Sequence, residues 1–283
     1  MIPPVAGRFI AGETPTEALE YARRRNAAGL DTMLNRLGSH HDDRESVRHD
    51  TAEYRELLRD LERVADDPAI SVKPTQLGLE IDRSLFRDSL SEIVDRAVDR
   101  SVFVWLDMEE HWTVDPTLEA SVDLAREHDG GVGVCLQADL KRTRADLERL
   151  AGDPLAVRLV KGGAYDRPSP IAYTDPDRRD RAYRALLEDA FDCMDDGIAV
   201  ATHDPEMIAR AVTLSDRHGT DFEIQMLMGV RPTAQRDLAT RHDVRQFVPY
   251  GERWKRWALN RARRNLSFTA RAIVSPIAPS GIG

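Results

Sequence analysis

The sequence predicts a closed eightfold βα barrel, and three observations support it. Apolar runs begin near Met33, Ile70, Val102, Val132, Ala156, Gly197, Phe222 and Arg245, spaced about 30 residues apart, the length of one βα unit. The runs are rich in Val, Ile and Leu with little alternation, as in Ile70-Ser71-Val72 and Val157-Arg158-Leu159-Val160, which suits strands covered on both faces. Between them lie a polar junction and a longer segment of helical period. An open, doubly wound sheet is the nearest alternative. Against it, no G-x-G-x-x-G follows the first run, and eight consecutive units favour closure.

The elements follow in order. Thr14-Pro15-Thr16-Glu17 supplies an N-cap, a first-turn proline and a capping-box glutamate, opening an extra helix that ends near Gly29, ahead of the first strand. His40-His41-Asp42-Asp43 has metal-ligand residue types, but adjacent side chains diverge, so it is expected to be a solvated cap of the next helix. After the second strand, Leu90, Ile93, Val94 and Ala97 form an apolar stripe facing the sheet. Ala182, Leu186, Ala190 and Cys193 predict the same after the fifth. Asp115-Pro116 and Asp204-Pro205 are expected to cap the helices after the third and sixth strands. Trp254 and Trp257 share a helix face suited to core packing. No linker or composition break appears, so residues 1–283 are expected to form one domain, with a core of about 8–268 and a flexible tail over 272–283.

Composition excludes several classes. The 283 residues carry 40 Lys plus Arg against 49 Asp plus Glu, a net charge of −9 that disfavours binding to nucleic-acid phosphates. No run approaches the roughly 20 apolar residues of a membrane span, and Met1-Ile2-Pro3-Pro4 lacks the pattern of a signal peptide, so a cytoplasmic protein is expected. Cys135 and Cys193 encode neither a disulfide framework nor a metal site and are expected to be small buried hydrophobes. Lysine occurs only at 73, 141, 161 and 255, and this Arg bias on an acidic surface fits either a salt-loving source or GC-rich codon usage.

In a βα barrel the chemistry sits where strands end, so polar residues at those junctions are the candidates. They are Lys73-Pro74-Thr75-Gln76, Asp107-Met108-Glu109, Gln137, Lys161-Gly162-Gly163-Ala164-Tyr165 and Thr202-His203-Asp204, with Arg158, Glu223 and Gln225 inside strands. Two of four lysines fall at strand ends. Arg158, between Val157 and Leu159, must face the barrel interior or a partner. Lys161-Gly162-Gly163 reads either as an ordinary loop start or as a turn that permits close backbone approach to an anion, and His203 either as a strand-end histidine or, with Thr202, as a group beside a helix N-terminus that favours phosphate. Such a pocket suits a large anionic cofactor beside a small carboxylate substrate. A barrel aldolase using Lys161 or Lys73 as a Schiff base, and a non-catalytic binding module, are the other readings.

In this order the junctions resemble those of the proline dehydrogenase family, flavoenzymes that oxidise L-proline to pyrroline-5-carboxylate. The stretches concerned are Arg8–Glu13, Ile70–Lys73 with Gln76–Leu79, Leu106–Glu109, Leu136–Ala138, Arg158–Gly162, Ala201–Asp204, Phe222–Leu227 with Gly229–Arg231, and Val248–Gly251. The resemblance implies a barrel whose last helix lies over the mouth, and FAD as cofactor. It implies that Arg158 lies near flavin N5, that Met108 and Gln137 contact the isoalloxazine, and that Lys161, Gly162, Gly163, Thr202 and His203 hold the rest of the cofactor. Lys73 and Arg261 would bind the substrate carboxylate, with Asn260 beside them, and Asp107 would orient Lys73. Hydride would pass from proline C5 to N5 and electrons onward to a quinone-type acceptor, which leaves open peripheral contact with the inner face of a membrane.

Two departures matter. The last helix of the family carries Arg-Arg and then Glu-Asn, whereas this chain has Asn260-Arg261-Ala262-Arg263-Arg264-Asn265, and Trp257 stands for a tyrosine. The loop after Arg158 is one glycine longer. One arginine with an amide holds a carboxylate less firmly than an arginine pair, so weakened proline affinity or another cyclic or N-alkyl amino acid as substrate is expected.

Overall fold

The computed structural model describes residues 2–3, 6–165 and 167–255. Asn260, Arg261, Arg264 and the expected tail lie outside them, as does Trp257. The elements run α1 (Pro15–Asn26), β1 (Asp31–Arg36), α2 (Arg44–Leu61), β2 (Ala69–Val72), α3 (Arg83–Val98), β3 (Phe103–Leu106), α4 (Val114–His128), β4 (Val132–Gln137), α5 (Thr143–Leu150) and β5 (Ala156–Val160). They continue as α6 (Pro176–Cys193), β6 (Ile198–Ala201), α7 (Pro205–His218), β7 (Phe222–Leu227), α8 (Pro232–Ala239) and β8 (Val244–Tyr250). The strands form one closed parallel barrel in sequence order. Closure is made by β1 against β8, from Asp31 opposite Arg245 to Arg36 opposite Tyr250, which removes the open-sheet alternative.

The local signals explain most boundaries. Thr14 and Glu17 form the predicted capping box of α1, with the Thr14 hydroxyl 3.3 Å from Glu17 N. Leu90, Ile93, Val94 and Ala97 are fully buried against the sheet. Asp204 caps α7, accepting from Glu206 N at 3.0 Å.

Three expectations need correction. α4 begins at Val114, because a 3-10 turn over His111–Thr113 runs directly into it; Asp115 is therefore a first-turn acid that accepts from Arg142 instead of a cap. On α6 the inner face is Tyr183, Leu186, Leu187, Ala190 and Phe191, so the stripe is rotated and Cys193 is exposed. Asp43 does cap α2, but His41 is buried and bonds Asp50 at 2.8 Å, so that run is not wholly solvated.

Part of the barrel interior is apolar: the Phe103 and Trp105 rings meet at a 45° tilt with centroids 5.0 Å apart, beside Met33, Ala69 and Ala199. Gly133 permits this, since a Cβ there would stand 2.5 Å from the Trp105 ring. Toward the C-terminal strand ends Lys73, Asp107 and Arg158 come together, and the site begins there.

Candidate active site

At the C-terminal ends of the strands a cavity of about 450 Å³ opens, lined by Lys73, Asp107, Arg158, Gln225, Tyr165 and apolar side chains including Met226 and Phe247. Parallel pairing aligns its charged floor: Arg158 on β5 sits opposite Cys135 on β4, and Asp107 follows β3 beside Lys73 at the end of β2. Asp107 accepts from Lys73, from the Arg158 guanidinium and, at 2.6 Å, from the Ser71 hydroxyl. Burial alone would raise the Asp107 carboxyl, but the Lys73 and Arg158 charges override it and pull the pKa down to about 2. Arg158 also approaches Gln225 Oε1 and Met33 Sδ, each at 3.5 Å, and lies 5.4 Å from the Trp105 ring. Its charge is thus fixed, buried and aimed upward.

The walls depend on an ion pair the sequence did not reveal. Arg167, its side chain 1% exposed, meets both Asp139 oxygens at 3.2 Å and donates to Gln137 Oε1 at 2.7 Å. Gln137 in turn donates to the Met108 carbonyl at 2.9 Å. Asp139 accepts from Gly163 N at 2.7 Å, and Gly162 and Gly163 take left-handed φ of 80° and 74°. A Cβ at Gly162 would fall 1.9 Å from Asp139, so the loop turns this tightly only with glycine there. At the next junction Leu227 N donates to His203 Nε2 at 3.3 Å, which puts the proton of a neutral ring on Nδ1.

Of the expected site residues, Lys73, Asp107, Met108, Gln137, Arg158, Gly162 and His203 line the one cavity. Lys161, Gly163 and Thr202 stand just outside its lining, and Asn260 and Arg261 fall outside the described residues. Lys161 is held by Asp204 at 2.8 Å and Asp180 at 2.9 Å; burial works to lower its pKa, but the two carboxylates win and raise it. A Schiff-base amine needs the opposite shift, so Lys161 does not suit the aldolase reading, and its other candidate, Lys73, is ion-paired to Asp107. Glu109 is spent structurally, accepting from Thr75 N at 2.9 Å and Thr75 Oγ1 at 3.0 Å.

The model of the family described as proline dehydrogenase matches residues 18–256. The chain belongs to the proline dehydrogenase family. Among curated family members, proline dehydrogenase 2 of Bacillus subtilis strain 168 is 30% identical over 260 residues, covering 90% of this chain and 85% of its own. The proline dehydrogenase of Deinococcus radiodurans is 31% identical, with 95% and 90% covered. Among solved structures, proline utilization A from Bdellovibrio bacteriovorus superposes at a TM-score of 0.83 with 23% identity, a likeness of fold. It covers 92% of this chain, which spans 32% of that longer one.

Proposed function

We propose that this chain oxidises L-proline to 1-pyrroline-5-carboxylate with FAD, the first step of proline catabolism. The observation that carries it is the Lys73–Asp107–Arg158 row at the inner end of the cavity, in a chain of this family. The residues fit the cofactor. The cavity lies within the roughly 300–1,000 Å³ of ligand sites, its walls include Met108, Val160, Met226 and Leu227 for a flat ring, and its floor offers a fixed cation. Arg158, Met108 and Gln137 would hold the ring; Lys161, Gly162, Gly163, Thr202 and His203 would hold the remainder. FAD, when bound, supplies the two-electron acceptor.

The chain's own groups do the rest. Lys73, oriented by Asp107, would take the substrate carboxylate together with Arg261 and Asn260. Arg158 would stabilise negative charge that develops above it, because a preorganised cation in a dry site acts without reorganisation. We place the enzyme in the cytoplasm, handing electrons to a quinone-type acceptor by peripheral contact with a membrane; no described helix is long and apolar enough to cross one. Residues 1–283 would act as one barrel domain.

The test is an absorbance spectrum of the purified protein followed by anaerobic L-proline. Flavin bands that bleach on addition support the reading; a colourless protein under saturating FAD overturns it. For the weaker carboxylate clamp, Asn260→Arg is expected to lower the KM for proline by about tenfold, since a charge-assisted bond adds about 1.4 kcal/mol or more over a neutral one. An unchanged KM in steady-state assays removes Asn260 from the substrate site.

A further inference from the structure

The lumen of a βα barrel is ordinarily filled by branched apolar side chains. Here a file of charges runs through it. At the base, Arg245 donates to Asp67 and, through Nε, to Glu223 at 2.6 Å. Glu223 accepts from Gln225 Nε2 at 2.7 Å, and Gln225 Oε1 faces Arg158 Nη1 at 3.5 Å. Arg158 then meets Asp107, and Asp107 meets Lys73 at the mouth. The formal charges along the file alternate: Asp67 negative, Arg245 positive, Glu223 negative, Arg158 positive, Asp107 negative, Lys73 positive.

The alternation has a mechanical consequence. Glu223 and Gln225 are two apart on β7 and so point into the same lumen. An ionised carboxylate only accepts, so Glu223 holds the Gln225 NH2 beside itself and thereby turns the amide oxygen toward Arg158. Arg158 thus meets one formal anion, Asp107, above and a neutral oxygen below, so a single carboxylate faces it, with no second one on its lower side. Burying such a file costs desolvation that apolar packing would avoid, so stability alone does not explain it.

We propose that Glu223 is a positioning residue, acting through the Gln225 amide on Arg158 to set the electrostatic field at the inner end of the cavity. The proposal rests on the flavin reading given above, because the field would be felt by the ring placed there.

Glu223→Gln and Gln225→Leu test it in the FAD-loaded protein. With FAD still bound, as its visible spectrum reports, the flavin midpoint potential is expected to fall. A tenfold weaker stabilisation of the reduced ring corresponds to about 30 mV for a two-electron couple. The kcat should fall about tenfold with little change in KM for proline, and the double variant should lose no more than the larger single loss. Unchanged potential and kcat in both loaded variants overturn the proposal. Should Glu223→Gln fail to fold, Gln225→Leu, which leaves the Glu223–Arg245 pair in place, carries the test alone. Should the wild-type chain bind no FAD, the flavin reading fails separately. The Arg158 Nε–H nitrogen-15 resonance then decides: a shift on Gln225→Leu supports positioning, and coincident signals refute it.

Discussion

Asp107→Ala is expected to lower kcat/KM for proline by about 100-fold and to destabilise the fold by about 3–5 kcal/mol. The carboxylate is the only anion between Lys73 and Arg158 among the described residues, and both cations are largely buried with it. Its loss leaves two like charges facing each other without a neutralising group, so the Lys73 ammonium and the guanidinium move apart. A displacement near 1 Å at such a site is enough to account for the kinetic loss. The same charges produce a pH signature. The Asp107 carboxyl has a folded pKa of about 2 against an ordinary 3.8, so its contribution is complete above 3.8 and is lost as pH falls toward about 2. It amounts to about 2 kcal/mol. Asp107→Asn, which cannot titrate, should therefore sit below wild type in urea unfolding at neutral pH and converge on it through that acid window. A gap that stays constant down to pH 2 would show that Lys73 and Arg158 do not hold the carboxylate ionised.

What the sequence reveals of this site follows a physical rule. Arg158 and Asp107 are visible because a charge inside or directly after an apolar strand has few places to go. The barrel itself is visible for the same reason: each apolar run must be covered on both faces, and the spacing leaves room for one helix per strand. Arg167 and Asp139 are invisible because each looks like an ordinary loop residue, and their pairing closes a gap of 28 positions. A weak signal existed in Asp139, which continues the side-chain parity of Gln137 just past the end of β4. Glu223 and Gln225 stand out in the sequence as strand polar residues, but the lumen neighbour that gives them a purpose, Arg245, is supplied by β8 and in sequence marks only the start of an apolar run. His41 and Cys193 show the converse limit, that a residue type fixes neither exposure nor partner: His41 is buried by its bond to Asp50, and Cys193 falls off the buried face of α6.

Arg167→Met is the second large effect. Asp139 would remain buried, its side chain 3% exposed, with the Gly163 N–H still donating to it but no cation beside it. Breaking one partner of a buried pair costs about 3–5 kcal/mol, which should lower Tm by about 10 °C in a chain of this size. The loop pays too, because Arg167 ties residues from the 161–173 segment to Gln137 and to the Glu109 carbonyl. Gly162 lines the cavity from that segment, so FAD affinity, followed by quenching of flavin fluorescence, is expected to weaken by tenfold or more. Adding Asp139→Leu separates the two consequences. Removing the stranded carboxylate should restore most of the lost stability, since an apolar pair of similar volume replaces a buried ion pair at little cost. It should leave FAD binding weak, because the anchor of Gly163 N is gone as well. If Arg167→Met alone keeps the wild-type Tm, the pair is not the clamp described, and the bond from Gly163 N to Asp139 holds the glycine turn without the arginine.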